Sequence, residues 1–176
     1  MTTYGADTTS DDADDQVHAW MDLALAEATT GGDRGEVPIG AVVVVDGQVV
    51  ARRHNEREAT GDPTAHAEVL ALRDAAAAVG SWRLSDATLV VTLEPCPMCA
   101  GAAWAARVGH VVWGAPNDDA GAMGSLYNLA IDPRLNHEYP VTAGVRAGEC
   151  GKLLVDFFAD RRSPPSLSPD PGPRHA

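Results

Sequence analysis

Apolar positions along the chain follow two patterns, one with helical spacing and one of short continuous runs. A first helix is predicted, ended by the glycine pair at 31 and 32, because apolar residues recur at helical intervals: Val17, Trp20, Met21, Ala24 and Ala28. The apolar runs 39–45 and 48–51 flank Asp46-Gly47, a dipeptide that favours a two-residue turn between antiparallel strands. The folded part therefore begins with a helix and a hairpin.

The middle of the chain alternates between helical and strand patterns. A helical stripe ends at Gly80, and it is followed by TLVVTL at 88–93, MCAGAAWAAR at 98–107 and HVVW at 110–113, which indicate a strand, a helix and a strand. Parallel neighbours need a crossover, so this alternation predicts a parallel pair. A C-terminal helix is indicated by the apolar face of Leu153, Leu154, Phe157 and Phe158. We predict an α/β fold with three α/β/α layers and a mixed sheet of about five strands.

Composition supports one globular domain with polar tails. The 176 residues are 45% hydrophobic and 22% charged, as expected for a chain with a packed core. Residues 1–15 are acidic and 163–176 are rich in proline and serine, so both are predicted to be disordered around a folded domain at 16–162. No apolar run approaches the roughly 20 residues that span a bilayer, and no signal-peptide pattern opens the chain. A cytoplasmic protein without membrane contact is therefore expected.

Charge limits the kind of nucleic-acid binding that we expect. The formal net charge is −12, and the first 15 residues contain no basic residue but five aspartates: Asp7, Asp11, Asp12, Asp14 and Asp15. Phosphate contacts dominate nonspecific affinity for nucleic acids, so an acidic chain is a poor general binder. A local basic surface could still form at two arginine clusters, which are Arg52, Arg53 and Arg57, and Arg161 and Arg162.

Two cysteines at CxxC spacing lie at a predicted junction between a strand and a helix. The sequence LEPCPMCAG at 93–101 follows the buried strand directly, and its prolines fit the first turn of a helix. Cys96 and Cys99, at i and i+3, then share one face near the positive end of the helix dipole, which favours thiolates. In a reducing compartment, this spacing indicates metal or redox chemistry.

A histidine and a glutamate two residues apart open the preceding helix, in PTAHAEVLAL at 63–72. Residues at i and i+2 cannot share one helix face, so His66 and Glu68 are expected to have different roles. If His66 lies beside Cys96 and Cys99, one nitrogen and two sulfurs leave the fourth position of a tetrahedral zinc open, as in catalytic sites. Glu68 would then be free to move protons to and from a bound water.

These residues also have simpler interpretations. An isolated HxE occurs by chance, and PCxxC alone also fits a redox pair or structural zinc. Cys150 could close the site as a fourth ligand, but its place on the apolar stripe of the C-terminal helix favours a thiol in the core. A redox pair would give no role to His66 or Glu68. The order HAE and then PCxxC, each at a helix start and separated by a strand, favours a catalytic zinc site.

Short segments spread from Val17 to Arg162 match the pattern of one enzyme family. They are EVPIGAV at 36–42, Asn55, DPTAHAE at 62–68, WRL at 82–84, ATLVVTLEPCPMCAGA at 87–102, GAMGSLYNL at 121–129, LNH at 135–137 and FFADRR at 157–162. With them the chain resembles the bacterial tRNA-specific adenosine deaminases (TadA), within the zinc-dependent cytidine deaminase superfamily. The resemblance implies a cytidine deaminase-like fold, a homodimer, and hydrolytic deamination of adenosine to inosine at the wobble position of a tRNA anticodon.

The resemblance also implies a role for individual residues. The implied ligands of one zinc per chain are His66, Cys96 and Cys99. The zinc would activate a water for attack on C6 of a flipped-out adenine, with Glu68 as the proton shuttle. The residues implied to contact the nucleotide are Asn55, Asn136 and Ala67, whose amide would bind the exocyclic carbonyl of the product. The implied partner is the anticodon loop of a tRNA.

One loop departs from the family pattern. Where the family often has Gly-Ala-Arg-Asp and then a lysine, this chain has GAPNDDAG at 114–121, with Pro116, Asn117 and Asp119 at the altered positions. Fewer positive charges weaken phosphate contact, so either other arginines compensate, or the substrate is not an intact tRNA. The arginines that could compensate are Arg52, Arg53, Arg57, Arg134 and Arg161. The alternative functions are a deaminase of a free base or nucleoside, such as guanine or cytosine, and a noncatalytic zinc module.

Overall fold

The computed structural model describes residues 10–162, and within them it has one mixed sheet with helices on both faces. The helices are α1 Ser10–Asp33, α2 Arg57–Thr60, α3 Ala67–Val79, α4 Pro97–Ala105 and α5 Ala147–Arg162. The strands are β1 Gly40–Val45, β2 Gln48–His54, β3 Ala87–Leu93, β4 His110–Ala115 and β5 Val141–Ala143. The strand order is β2-β1-β3-β4-β5. The β1 strand is antiparallel to β2 and β3, whereas β4 is parallel to β3 and β5.

Alternate residues of the central strands face two separate apolar clusters, which makes three layers. One cluster joins α1 and α5 to the sheet face that carries Val42, Val90 and Val112. The other joins α3 and α4 to the opposite face, through Val43 and Leu89 among others. Side chains of a strand alternate between faces, so strands that are apolar throughout must be covered on both sides. The predicted α/β/α layering and the parallel β3–β4 pair are confirmed.

The predicted turn between β1 and β2 is confirmed by its backbone angles. Asp46 has φ 50° and Gly47 has φ 73°, both in the left-handed region. A two-residue turn of this type requires positive φ at both central positions, which an aspartate tolerates and a glycine adopts freely. The dipeptide therefore sets the register in which β1 pairs with β2.

The first helix is longer than the sequence predicts at both ends. It begins at Ser10 rather than near residue 16, and it continues through the glycine pair to Asp33. Acidic residues near a helix start interact favourably with its dipole, which is consistent with helical structure in part of the segment expected to be disordered. Glycine at position 31 lets α1 pack closely against β2, since a Cβ there would lie only 3.0 Å from the Cβ of His54. This packing offsets the poor helix propensity of glycine.

The predicted tails lie mostly outside the described residues. Residues 1–9 and 163–176 are not described, so disorder there stays a prediction. None of the helices in residues 10–162 combines the length and the apolar composition that a transmembrane segment needs.

Candidate active site

The side chains of His66, Cys96 and Cys99 meet where α3 and α4 begin. His66 and Cys96 are the N-cap residues of these helices, and Pro97 occupies the first turn of α4. Cys96 Sγ lies 3.8 Å from His66 Nδ1 and 3.7 Å from Cys99 Sγ, and Cys99 Sγ lies 3.5 Å from His66 Nδ1. The structure therefore brings together two motifs that lie 30 residues apart in the chain.

These distances fit a metal with one open position. Zinc–sulfur bonds of about 2.3 Å in a tetrahedron separate two sulfurs by about 3.8 Å, which agrees with the distance between the two cysteines. Among the histidine, cysteine and carboxylate side chains of residues 10–162, this is the group of three or more that could hold a metal ion. One nitrogen and two sulfurs leave room for a water or a substrate atom.

Cys150 lies on the other side of the sheet and cannot be a fourth ligand. Only 1% of its surface is exposed, and its Sγ is 3.8 Å from Met21 Sδ in the cluster under α1 and α5. Burial raises the pKa of this thiol to about 11, so it is neutral near pH 7. The prediction of a core thiol is confirmed, and the alternative in which Cys150 closes the site as a fourth ligand is wrong.

The two cysteines at the site differ in how readily they ionise. The hydrogen bond from Cys99 lowers the pKa of Cys96 to about 4, and His66 adds to the effect against the opposing cost of burial. The same hydrogen bond and burial raise the pKa of Cys99. The hydrogen bond to Cys96 raises the pKa of His66, because it favours the protonated ring. The lowered pKa of Cys96 favours its thiolate, which is the form of a cysteine that binds a metal.

Glu68 is a buried carboxylate with one unsatisfied oxygen. It lies in the first turn of α3, 4% of its surface is exposed, and Oε2 has no hydrogen-bond partner among the described residues. Burial raises its pKa, because a charge in an apolar environment is unfavourable. A buried oxygen without a partner is costly, which indicates a ligand or a water in the functional state. The expected separation of roles between His66 and Glu68 fits this geometry.

Asn55 and Ala67 contact each other directly. Asn55 is buried, and its Oδ1 accepts a hydrogen bond of 3.0 Å from the main-chain N–H of Ala67, while the main-chain N–H of Asn55 donates to the Ile39 carbonyl. The Ala67 amide is one of the free donors at the start of α3, so Asn55 caps this helix from outside. A substrate carbonyl at the Ala67 amide would have to share or replace Asn55. Nucleotide contact by these two residues therefore stays a prediction.

The structure does not bring Asn136 to the cysteines and histidine. Asn136 is exposed, and its Oδ1 and main-chain oxygen accept hydrogen bonds of 3.1 Å and 3.0 Å from Arg107. Arg107 follows the C-terminal end of α4, whereas Cys96 and Cys99 lie at the other end. Nine residues of helix separate these ends by roughly 13 Å. A contact between Asn136 and a nucleotide stays a prediction.

Most of the arginines proposed to compensate for the altered loop are paired with carboxylates. The ion pairs are Arg52 with Glu27, Arg53 with Glu56 and Asp74, and Arg134 with Asp132. Arg57 is exposed and has no carboxylate partner in residues 10–162, and its charge disfavours protonation of His66. Arg161 donates to the Gly35 carbonyl and stacks over Phe157 at 4.2 Å. Arg57 and Arg161 are therefore the members of this set whose charge no described carboxylate offsets.

Two buried glutamates hold loops near the site, and sequence analysis gave neither a role. Glu36 accepts hydrogen bonds from the Glu58 and Ala59 amides and so caps α2. Glu94 accepts hydrogen bonds from the loop at 117–125. The sequence feature that could have indicated Glu94 is its position, because a carboxylate between the apolar β3 strand and PCxxC is not expected to be exposed to solvent. Its partners were not predictable, because they lie more than 20 residues away.

Comparison with known proteins gives one consistent family. The MafB19-like deaminase model matches residues 15–162. A tRNA-specific adenosine deaminase of Bacillus subtilis is 48% identical over 147 residues, which cover 84% of this chain and 91% of the relative. A solved tRNA:A34 deaminase, studied for A-to-I editing at the wobble position, has a TM-score of 0.75 and 43% identity, over 77% of this chain and 99% of its own.

A solved guanine deaminase of Nitrosomonas europaea is more distant. It is 29% identical, with a TM-score of 0.67, over 81% of this chain and 84% of its own. The family predicted from sequence is confirmed, together with the deaminase fold. The chain belongs to the MafB19-like deaminases and, among these, to the family of tRNA-specific adenosine deaminases.

Proposed function

We propose that this protein hydrolyses adenosine to inosine at the wobble position of a tRNA anticodon. The observation that carries the chemistry is the unpartnered Oε2 of buried Glu68, beside three donor atoms with the spacing of an open tetrahedral site. Deamination needs a water, a group that moves protons, and space for the reacting carbon. The reaction replaces the exocyclic amine with the oxygen of water and releases ammonia. The 48% identity to a tRNA-specific adenosine deaminase supports adenosine in tRNA as the substrate.

His66, Cys96 and Cys99 would hold one zinc ion per chain. Bound there, zinc would supply a water of lowered pKa for attack on the ring carbon. Glu68 would accept a proton from that water and deliver protons to the ring nitrogen and to the departing ammonia. Burial raises the Glu68 pKa, which favours the protonated form that the side chain must take between these steps.

An anticodon loop suits an acidic protein of this kind. Its bases are already single-stranded, so one of them can be splayed into a pocket at small cost. Arg57 and Arg161 would meet phosphates, and the residues that would contact the nucleotide are Asn55, Ala67 and Asn136. With few phosphates neutralised, affinity should depend only modestly on salt. The protein would act in the cytoplasm, where tRNA is modified.

A homodimer is part of the proposal. An exposed apolar groove between α3 and α4, lined by Leu72, Ala76, Ala105 and the 54% exposed Trp82, is a candidate surface for the second copy. Sedimentation of the purified protein would test it, with a species of twice the chain mass expected.

Deamination of a minimal anticodon stem-loop tests the function. Zinc-loaded protein should convert adenosine to inosine when adenosine is the first anticodon base, and should leave the same loop with guanosine there unchanged. Full-length tRNA should react at the same position. No conversion of either RNA by protein with one zinc per chain would contradict the proposal.

Deamination of a free base or nucleoside is the second candidate. The observation that favours it is the acidic loop at 114–121, where Asp118 and Asp119 are exposed and form no ion pair within residues 10–162. Guanine, cytosine and their nucleosides should therefore be assayed beside the RNA. Turnover of one of these with no turnover of RNA would make this the function.

A further inference from the structure

The loop at 117–125 is folded around the side chain of Glu94, which lies outside the loop in sequence. Only 1% of its surface is exposed. Oε1 accepts hydrogen bonds from the amides of Met123 and Ser125, at 2.9 Å and 3.0 Å. Oε2 accepts a hydrogen bond of 3.2 Å from the main-chain N–H of Asn117 and another from the Ser125 hydroxyl. Four donors from one loop converge on one carboxylate, and bonds to a charged acceptor are the strong ones.

The same loop is attached to the turn that carries the cysteines. The Ala122 amide donates to the Pro95 carbonyl at 2.9 Å, one residue before Cys96. A Cβ at Gly121 would collide with Glu94 Oε2, so the loop can approach the carboxylate this closely only with glycine at that position. The position of the loop relative to the metal-binding turn therefore depends on Glu94.

The altered residue Asn117 takes part in this arrangement. Its Oδ1 accepts from the Ala120 amide at 3.0 Å, and its Nδ2 donates to the main-chain oxygen of Glu94 at 3.5 Å. The side chain is thus used inside the loop. The loop presents Asp118 and Asp119 to solvent instead.

We propose that Glu94 is a positioning residue that fixes the loop at 117–125 as a preformed wall beside the metal site. It touches neither the donor atoms of the metal group nor, in this proposal, the substrate. A fixed wall lowers the ordering cost of substrate binding, so its loss should weaken binding more than it slows the chemical step. The part that concerns substrate rests on the proposed function, whereas the anchoring of the loop does not.

Glu94→Gln tests the proposal, with Glu149→Gln as a matched control at an exposed carboxylate. Glutamine has the shape of glutamate, but its amide group would set a donor against the donors of the loop. Amide hydrogen exchange followed by NMR should speed up at least about tenfold at Asn117, Met123 and Ser125, and should be unchanged in β3 and β4. Zinc should stay at about one per chain. The KM for the anticodon stem-loop should rise about tenfold, with kcat within about threefold.

Ser125→Ala keeps the test decisive if Glu94→Gln does not fold. It removes the hydroxyl donor and leaves the Ser125 amide, so a smaller, roughly threefold increase in exchange is expected at Met123 and Asn117. Unchanged exchange at these amides would overturn the anchoring. Faster exchange throughout β3 and β4 as well would show a general structural role instead. If the wild-type protein does not act on RNA, exchange still decides the anchoring, and only the KM effect fails with the proposed function.

Discussion

Cys99 and Cys150 occupy similar positions on their helices but lie in different surroundings, one among candidate metal ligands and the other in the apolar core. Cys99 is the third residue of α4 and Cys150 is the fourth residue of α5, so each lies in the first turn of a helix that covers the sheet. Both are almost completely buried. Cys99 faces a second thiol and a histidine, whereas Cys150 faces Met21 and the apolar residues under α1. A helix start favours a thiolate, but the neighbours decide whether the cysteine becomes a ligand.

The largest effect should come from removing the sulfur of Cys99, on the side of the sheet that carries the candidate metal site. Cys99→Ser should lose both stoichiometric zinc and deamination, because a tetrahedral site with three protein ligands cannot lose one and hold the ion tightly. Zinc content by elemental analysis, together with the stem-loop assay, measures both. Retention of one zinc per chain in a folded variant would show that Cys99 is not a ligand.

Removal of Glu68 should separate catalysis from metal binding. Glu68→Ala should lower kcat by about 10²–10⁴-fold, the usual contribution of a positioned proton carrier, while zinc stays at one per chain. Glu68→Gln keeps the volume and removes the titrating group, so it should be similarly inactive. A fall in zinc content with the fold intact would mean that Glu68 holds the metal rather than moving protons.

Alkylation of metal-free protein should distinguish the two environments by pH. The pKa of Cys96 is lowered to about 4, so its thiolate is present at pH 6, whereas the pKa of Cys150 is raised to about 11 and its thiol stays protonated. Iodoacetamide at pH 6 should therefore label Cys96, and mass spectrometry of peptides should find Cys150 unlabelled. Added zinc should protect Cys96. Equal labelling of both cysteines in folded protein would contradict these environments.

The smallest effect is expected at the core thiol. Cys150→Ala removes one buried sulfur and should cost on the order of 1 kcal/mol in the free energy of unfolding, measured by urea denaturation. Zinc content and kcat should stay within about twofold of wild type. Loss of the metal in this variant would mean that Cys150 contributes to the site from across the sheet, against the present geometry.

The sequence predicted the parts of the fold that depend on neighbouring residues. The Asp46-Gly47 turn follows from the positive φ that a short hairpin turn requires, and the helix starts at His66 and Cys96 follow from spacing and from proline in the first turn. The parallel β3–β4 pair follows from the need for a crossover. The glycine pair was misleading, because packing against His54 outweighs the poor helix propensity of Gly31.

Tertiary structure decided everything that depends on contacts between distant segments. The motifs alone could name His66, Cys96 and Cys99 as ligands only on the condition that two helix starts meet, and the packing of α3 beside α4 supplies that condition. The same packing shows Asn136 at the far end of α4 and four loop donors on Glu94, neither of which any local pattern indicates. Residue type and spacing determine which chemistry a chain can carry, because propensity and periodicity are local. The long-range packing of the sheet and its helices determines which residues share a site.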